Sequence, residues 1–332
     1  MKPILDVQKV KKYFPVERGA IFRKVAGQIK AVDNISFSIV PGETLALVGE
    51  SGCGKSTVGR LILNLLPVTG GTIFFSGIPL EEMDRSQRKI YRSAVQAVFQ
   101  DPMSSLSPRM RIREIIAEGL VINQSLSRNE IDSKIQQVLD QVGLPQDAIK
   151  HYPHEFSGGQ RQRIAIARAL IVDPKLIILD EAVSALDVSI QAQIVNLLRD
   201  LQREFHLSYL FIAHSLGTVR YISDRIGVMY LGSLVEIGPA EEIFTNLHHP
   251  YTRALIDAAM PSHPDFVRED VVLAGEVPSA LNVPEGCRFN TRCPFAKDVC
   301  RQVEPEMFEI GPGHFTACHM LDGAPEAGFF LN

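Results

Sequence analysis

Nine consecutive residues, Gly49-Glu50-Ser51-Gly52-Cys53-Gly54-Lys55-Ser56-Thr57, hold glycines, a lysine and two hydroxyls at the spacing G-x-x-x-x-G-K-S/T. Glycines at 49, 52 and 54 let the main chain approach a ligand without Cβ atoms in the way, and the N–H groups of such a loop cradle phosphates. Lys55 is expected to reach the β- and γ-phosphates of a nucleoside triphosphate, and the Ser56 hydroxyl to ligate Mg²⁺. Ser51, Cys53 and Thr57 complete the candidate phosphate loop. A second segment, Leu176-Ile177-Ile178-Leu179-Asp180-Glu181, is an apolar run ending in two carboxylates. Asp180 is the candidate to hold Mg²⁺ directly or through water. Alternation along a strand would turn Glu181 the other way, toward an attacking water. In a third segment, Ser157-Gly158-Gly159-Gln160 opens a helix and offers N–H groups and a hydroxyl at its positive end. That is an anion site without a lysine, or a plain helix cap.

Two further constellations carry chemistry. Cys287, Cys293, Cys300 and Cys318 stand as C-x5-C-x6-C-x17-C, apart from the fifth cysteine, Cys53. Four soft thiolates suit Zn²⁺ or a 4Fe–4S cluster; His314 and His319 are available as substitute zinc ligands, and unmetallated thiols are the third reading. For a base, Tyr13 offers an aromatic face, with Phe14 beside it and a place in the core as the plain alternative.

These residues need elements to hold them. Thr44–Val48 reads as a strand running into the phosphate loop, after a turn at Pro41-Gly42-Glu43, and Val58–Leu66 reads as the helix that follows. Ile4–Lys9, Ile29–Phe37, Thr72–Phe75 and Ala94–Gln100 read as further strands. Between 101 and 158 the pattern turns helical, with Ile131, Ile135, Val138, Leu139 and Val142 on one amphipathic face. Arg161–Leu170 reads as a helix and Lys175–Leu179 as a buried strand. A helical face follows at Ile190, Ile194, Leu197, Leu198 and Leu201. Ser208–Ala213 is a strand delivering His214, and strands near Gly227–Tyr230 and Leu234–Ile237 flank a turn. Pro261, Pro264, Pro278 and Pro284 mark a linker into the cysteine-bearing tail.

With these segments in this order, the chain resembles the ATPase subunits of ABC transporters, closest to the oligopeptide/dipeptide importer branch. Gln100-Asp101-Pro102-Met103-Ser104-Ser105-Leu106-Ser107-Pro108, His249-Pro250-Tyr251-Thr252 and the cysteine tail with Pro294 carry the branch likeness. The resemblance implies an α/β fold: a P-loop NTPase (RecA-like) core, an antiparallel β subdomain, an inserted helical subdomain at about 101–158 and a small C-terminal cysteine-rich extension. On this division 1–260 is the ABC ATPase domain and 261–332 the oligopeptide-transporter-type extension with its four-cysteine metal site. It further implies Glu181 as catalytic base or water-polarising group, Gln100 joining the magnesium site to the helical region, and His214 at the γ-phosphate. Ser157, Gly158, Gly159 and Gln160 would close over ATP held by an opposing subunit, with Asp187 of Ser184-Ala185-Leu186-Asp187 at the dimer contact. Three departures stand out: Phe156 where leucine is frequent, Ala182 where proline is usual, and Ser215 where aspartate is usual.

The function implied is ATP hydrolysis that powers uptake of di- or oligopeptides. The partners would be two transmembrane permease subunits, a second and paralogous ABC ATPase, and indirectly an extracytoplasmic binding protein. In the tail, the resemblance favours the 4Fe–4S cluster over zinc. The alternatives are a nickel or other small-solute importer using the same ATPase, a soluble ABC ATPase acting on nucleic acid or ribosomes, and a metal-sensing adaptor that only binds nucleotide. Against the soluble ATPase, the chain has neither two fused cassettes nor a long coiled-coil insertion. The net charge of −4 argues against a nucleic-acid surface. No run approaches the roughly 18 apolar residues of a membrane span and no signal-peptide core opens the chain, so the expectation is a soluble protein, peripheral at the cytoplasmic face of the inner membrane.

Overall fold

The computed structural model describes residues 2–18, 24–101, 105–123, 126–259 and 278–321. The chain begins with β1 (Leu5–Arg18), β2 (Lys24–Ile39) and β3 (Thr44–Val48), followed by α1 (Lys55–Ile62). Next come β4 (Gly70–Phe75), β5 (Ile78–Pro79), α2 (Arg85–Ala94) and β6 (Val95–Phe99). Helices α3 (Ile112–Asn123), α4 (Arg128–Gln141) and α5 (Gly158–Leu170) precede β7 (Leu176–Asp180), α6 (Val188–Phe205) and β8 (Ser208–Ile212). Then follow α7 (Leu216–Ile222), β9 (Arg225–Tyr230), β10 (Ser233–Pro239), α8 (Ala240–Thr245) and α9 (Pro250–Ala259). The hairpin β11 (Phe308–Gly311) and β12 (His314–Thr316) comes last.

Two compact units share these elements. One comprises Met1–Leu5, Ser38–Thr44 and Phe74–Ala213. Its β6, β7 and β8 are parallel with β7 central, so that Phe99 lies opposite Asp180 and Asp180 opposite Ile212. Because β7 is covered on both faces, its first four residues are buried and apolar without alternation. Helices α3, α4 and α5 pack on one another. The buried face of α4 is Ile135, Val138 and Leu139, with Val142 just beyond it, and a Ser127/Glu130 capping box starts that helix.

The other unit comprises Asp6–Phe37, Leu45–Ile73 and His214–Asn332. In it β3 runs parallel to β9, and β9, β10, β12 and β11 continue as an antiparallel series. All five residues of β3 are buried. β1 lies between β2 and β4 in a second sheet, the β subdomain the sequence led one to expect. Among the described residues no helix is long and apolar enough to cross a membrane.

Several boundaries differ from the sequence reading. β1 and β2 run on to Arg18 and back to Lys24, because strand pairing tolerates polar and charged residues that periodicity discounts. α1 starts at Lys55, not Val58, and ends at Ile62, since Asn64 takes a left-handed φ of 54° and breaks the turn. α5 starts at Gly158 instead of Arg161. α2 was not expected, although its Asp84/Gln87 capping box is legible; α7, α8, α9 and the β11–β12 hairpin were likewise unassigned. Pro102, Met103, Ser104, Pro261 and Pro264 lie outside the described residues.

Candidate functional site

The phosphate loop leaves β3 at Val48, which sits opposite Val228 of β9. Only glycine fits at two of its positions. Gly49 has φ 147° and a Cβ there would lie 2.2 Å from the Met229 carbonyl oxygen; Gly54 has φ 110° and a Cβ would lie 2.1 Å from that of Ala31. The loop is closed by the Cys53 N–H donating to Glu50 O at 3.3 Å and pinned by the Gly232 N–H donating to Cys53 O at 2.9 Å. α1 begins at Lys55, so its positive end is directed into the loop. Lys55 is 4% exposed, and its ammonium donates to the carbonyls of Gly49 at 2.8 Å and Glu50 at 3.0 Å. It also lies 3.6 Å from the Cys53 sulfur. Burial pushes the Cys53 thiol up, against the pull of the Lys55 charge.

The carboxylate pair is set differently from the strand-alternation expectation. Asp180 is the last residue of β7, but Glu181 has a φ of 52° and lies outside the strand. A left-handed turn, not alternation, sets its direction. The turn is fixed by the Glu181 N–H donating to Ile212 O at 2.8 Å and by Ser184, whose N–H and hydroxyl both donate to Glu181 O, at 3.1 and 2.9 Å. Holding a non-glycine residue there costs roughly 1–2 kcal/mol, offset by buried Ala182 and Val183. Gln100 directly follows β6, so Gln100, Asp180 and Glu181 lie at the carboxyl ends of neighbouring parallel strands, where ligands of open α/β sheets bind. His214 and Ser215 are exposed after β8, and the Ser215 hydroxyl lies 3.1 Å from that of Thr218.

Ser157 caps α5 through a reciprocal pair: its hydroxyl accepts from the Gln160 N–H, and its own N–H donates to Gln160 Oε1 at 3.0 Å. The structure thus shows the cap, and a cap satisfies only part of a helix's free N–H groups. Asp187 stands exposed at the start of α6, beside Val188, which is 83% exposed.

Tyr13 of β1 is tied at its hydroxyl and is partly exposed. Its hydroxyl donates to Asp33, and the Lys30 ammonium lies 5.9 Å from its ring centre. Burial pushes the Tyr13 hydroxyl up to about 12, and the bond to Asp33 adds to that. Asp33 also accepts from Arg288 at 2.6 Å, and Arg288 donates to Leu231 O at 2.7 Å. Burial opposes the Asp33 carboxylate, but the bonds from Tyr13 and Arg288 outweigh it and hold its pKa below the ordinary range.

Sequence reasoning missed a second link to the loop. Arg292 donates from both terminal nitrogens to the Glu50 carboxylate, at 2.8 and 3.0 Å, while the Glu50 N–H donates to the Tyr251 hydroxyl at 2.9 Å. One signal was present, an acidic residue inside an anion-binding loop, which asks for a cation; nothing in the sequence says which one.

The described cysteines are all free of disulfides. Burial pushes the Cys287 thiol up to about 11 and that of Cys318 up to about 12, and the charges of neighbouring cysteines raise both further. Cys293 is raised by burial and by Cys300. Yet among the described residues no group of three or more His, Cys, Asp or Glu side chains can hold a single metal ion. The single-Zn²⁺ alternative therefore finds no support among the described residues. His314 is withdrawn from it as well, because its Nε2 lies 2.9 Å from buried Glu236; His319 Nε2 lies 2.9 Å from Val303 O.

Comparison with known proteins follows the same lines. Residues 32–184 match the family model described as ABC transporter, and residues 235–300 the one described as oligopeptide/dipeptide transporter, C-terminal region. The chain is 51% identical over 320 residues to the oligopeptide transport ATP-binding protein AppF of Bacillus subtilis, spanning 96% of this chain and 97% of that one. It is 47% identical to the dipeptide transport ATP-binding protein DppF of Haemophilus influenzae (96% and 97%) and 46% to that of Escherichia coli (97% and 95%). Among solved structures, cbiO1 from Clostridium perfringens, part of the transporter complex cbiONQ, gives a TM-score of 0.64 at 27% identity, covering 74% of this chain and 91% of that one. The ATP-binding cassette MJ0796, as a dimer bound to ADP and Pi, gives 0.62 at 27%, covering 71% and 98%.

Proposed function

This chain belongs to the ATP-binding proteins of the oligopeptide/dipeptide ABC transporters, and from that we propose that it hydrolyses ATP to power peptide import through partner permeases. The observation that carries the peptide reading is the match of residues 235–300 to the C-terminal region of oligopeptide/dipeptide transporters. A general ATP-binding cassette does not need that region. Its ATPase domain is 1–260 and its extension 261–332.

In the proposed mechanism ATP enters the loop Gly49–Thr57 with Tyr13 beside the base. Lys55 then exchanges the carbonyls of Gly49 and Glu50 for β- and γ-phosphate oxygens. Ser56, Gln100 and Asp180 would hold Mg²⁺, which neutralises charge on the phosphates. Glu181, aimed by its left-handed turn, polarises the attacking water, and His214 contacts the γ-phosphate. Ser157, Gly158, Gly159 and Gln160 stabilise that phosphate from an opposing subunit, a contribution in trans like an arginine finger, with Asp187 at the contact. The opposing subunit is a paralogue, two permeases anchor the pair at the inner face of the membrane, and the extracytoplasmic binding protein selects the cargo.

The extension would carry a 4Fe–4S cluster on Cys287, Cys293, Cys300 and Cys318. In support, the four cysteines are free of disulfides, their thiols raise one another's pKa, and four thiolates are the ligand set of such a cluster; the described residues form no single-ion site. The chain's part is to hold those thiols; the cluster would supply redox chemistry or rigidity. Anaerobically purified protein should contain iron and acid-labile sulfide, and protein lacking both removes the cluster.

The transport reading is tested by isolating tagged protein from gently solubilised membranes: two permeases and a second ATPase are expected, and recovery with ribosomes or DNA alone overturns it. Glu181→Gln should accumulate an ATP-bound dimer with turnover lost, and normal turnover in that variant would remove Glu181 from the chemistry.

A further inference from the structure

Arg292 lies in the turn between Cys287 and Cys293, where its own N–H and that of Cys293 both donate to Phe289 O at 3.0 Å. From there its guanidinium reaches the phosphate loop, 242 residues away in sequence, and grips the Glu50 carboxylate with two parallel bonds of 2.8 and 3.0 Å. Such a fork is both stronger and more directional than a single ion-pair contact. The Arg292 side chain is 6% exposed. Its Nε is buried without a hydrogen-bond partner among the described residues. Both terminal nitrogens are committed to Glu50, and one of them also lies 3.4 Å from the Tyr230 hydroxyl.

Glu50 is held at every polar group. Its N–H donates to Tyr251, its carbonyl accepts from Lys55, and its carboxylate is taken by Arg292. Apolar packing does not do this work, since a cavity of about 190 Å³ lies between Glu50–Cys53 and Pro278, Ala280, Tyr230 and Leu231. An acid in the second position of a phosphate loop opposes a polyanion by like-charge repulsion.

We infer that Arg292 is a positioning residue of the nucleotide site, which neutralises Glu50 and draws its carboxylate aside so that the loop accepts a triphosphate. The cysteine-bearing segment is then a structural part of the nucleotide site. This rests on the nucleotide-binding reading above and gives it a residue that no loop motif contains.

The test is calorimetric titration of the full chain with ATP, ADP and adenosine. Arg292→Ala should weaken ATP about tenfold or more, ADP less, and adenosine not at all, because the uncovered charge of Glu50 acts on phosphates. Adding Glu50→Gln should restore most of the ATP affinity, and Arg292→Lys, which keeps charge but not the fork, should fall between. If Arg292→Ala does not fold, Arg292→Lys against Glu50→Gln carries the same comparison. Unchanged ATP affinity in Arg292→Ala overturns the inference, as does an equal loss for ATP and adenosine or failure of Glu50→Gln to rescue. Wild-type protein that binds no ATP would remove the nucleotide reading itself, a result distinct from these.

Discussion

His249 gives this fold a built-in sensitivity to mild acid. The side chain is 1% exposed. Its Nδ1 accepts the Tyr251 N–H at 3.1 Å, so the ring proton sits on Nε2, which bonds the backbone of Ala317. Burial lowers its pKa from 6.5 to about 4, against the attraction of Glu236 and the bond to Ala317. His248 and His314 are the other titratable rings at this junction, 5.2 Å apart. Above pH 6.5 the imidazole is neutral whether the chain is folded or not, and its contribution is intact. Below that the unfolded chain takes the proton first, so stability falls until the pH reaches about 4. Linkage puts the loss at about 2 kcal/mol by pH 5 and about 3 kcal/mol at the limit. For a chain of this size 2 kcal/mol is about 4 °C in the thermal midpoint. His249→Asn keeps an oxygen where Nδ1 accepts but cannot titrate. Midpoints of wild type and variant, measured at about pH 7.5 and about pH 5, should show the wild type falling about 4 °C further. Equal falls would mean that His249 takes no part in the acid response.

Gln162 on α5 is fully buried, with both amide atoms lacking a hydrogen-bond partner among the described residues. An unsatisfied buried amide costs about 1–3 kcal/mol, so Gln162→Met should raise the urea midpoint, and a lowered midpoint would show that the amide is satisfied after all. Arg288→Met would leave Asp33 buried beside only the Tyr13 hydroxyl and the more distant Lys30, costing about 3–5 kcal/mol, with Asp33→Asn recovering part. Because the Asp33 carboxyl is held below the ordinary range, its contribution is present at neutral pH and lost as pH falls through its folded pKa. Acid titration of the unfolding midpoint should therefore be shallower at its low end in Arg288→Met, and an unchanged titration would remove the pair from the account.

What could be read in the sequence and what could not divide along a physical line. Gly49, Gly54 and Lys55 were legible because a phosphate loop is local: strand, tight turn and helix start lie within a few residues, and each glycine answers to a backbone that sterics dictate. β3 and the buried face of α4 were legible for the same reason, through a run and a period. Glu181 was expected to be directed by strand alternation, but it sits in a left-handed turn held by Ile212 and Ser184, which leaves no trace in the alternation. His314 was offered to a metal and turned out to be committed to Glu236, because ligand-type residues do not announce which neighbour folding will give them. Arg292 and Glu50 are the limiting case. The loop's own acid implied a missing cation, but the chain holds 34 lysines and arginines, and only the tertiary fold selects one from a turn set by two cysteines. Charge balance within a motif can thus show that a distant residue must exist before the structure shows which, and an unpaired acid in a phosphate loop is a reason to look beyond the motif for the rest of the site.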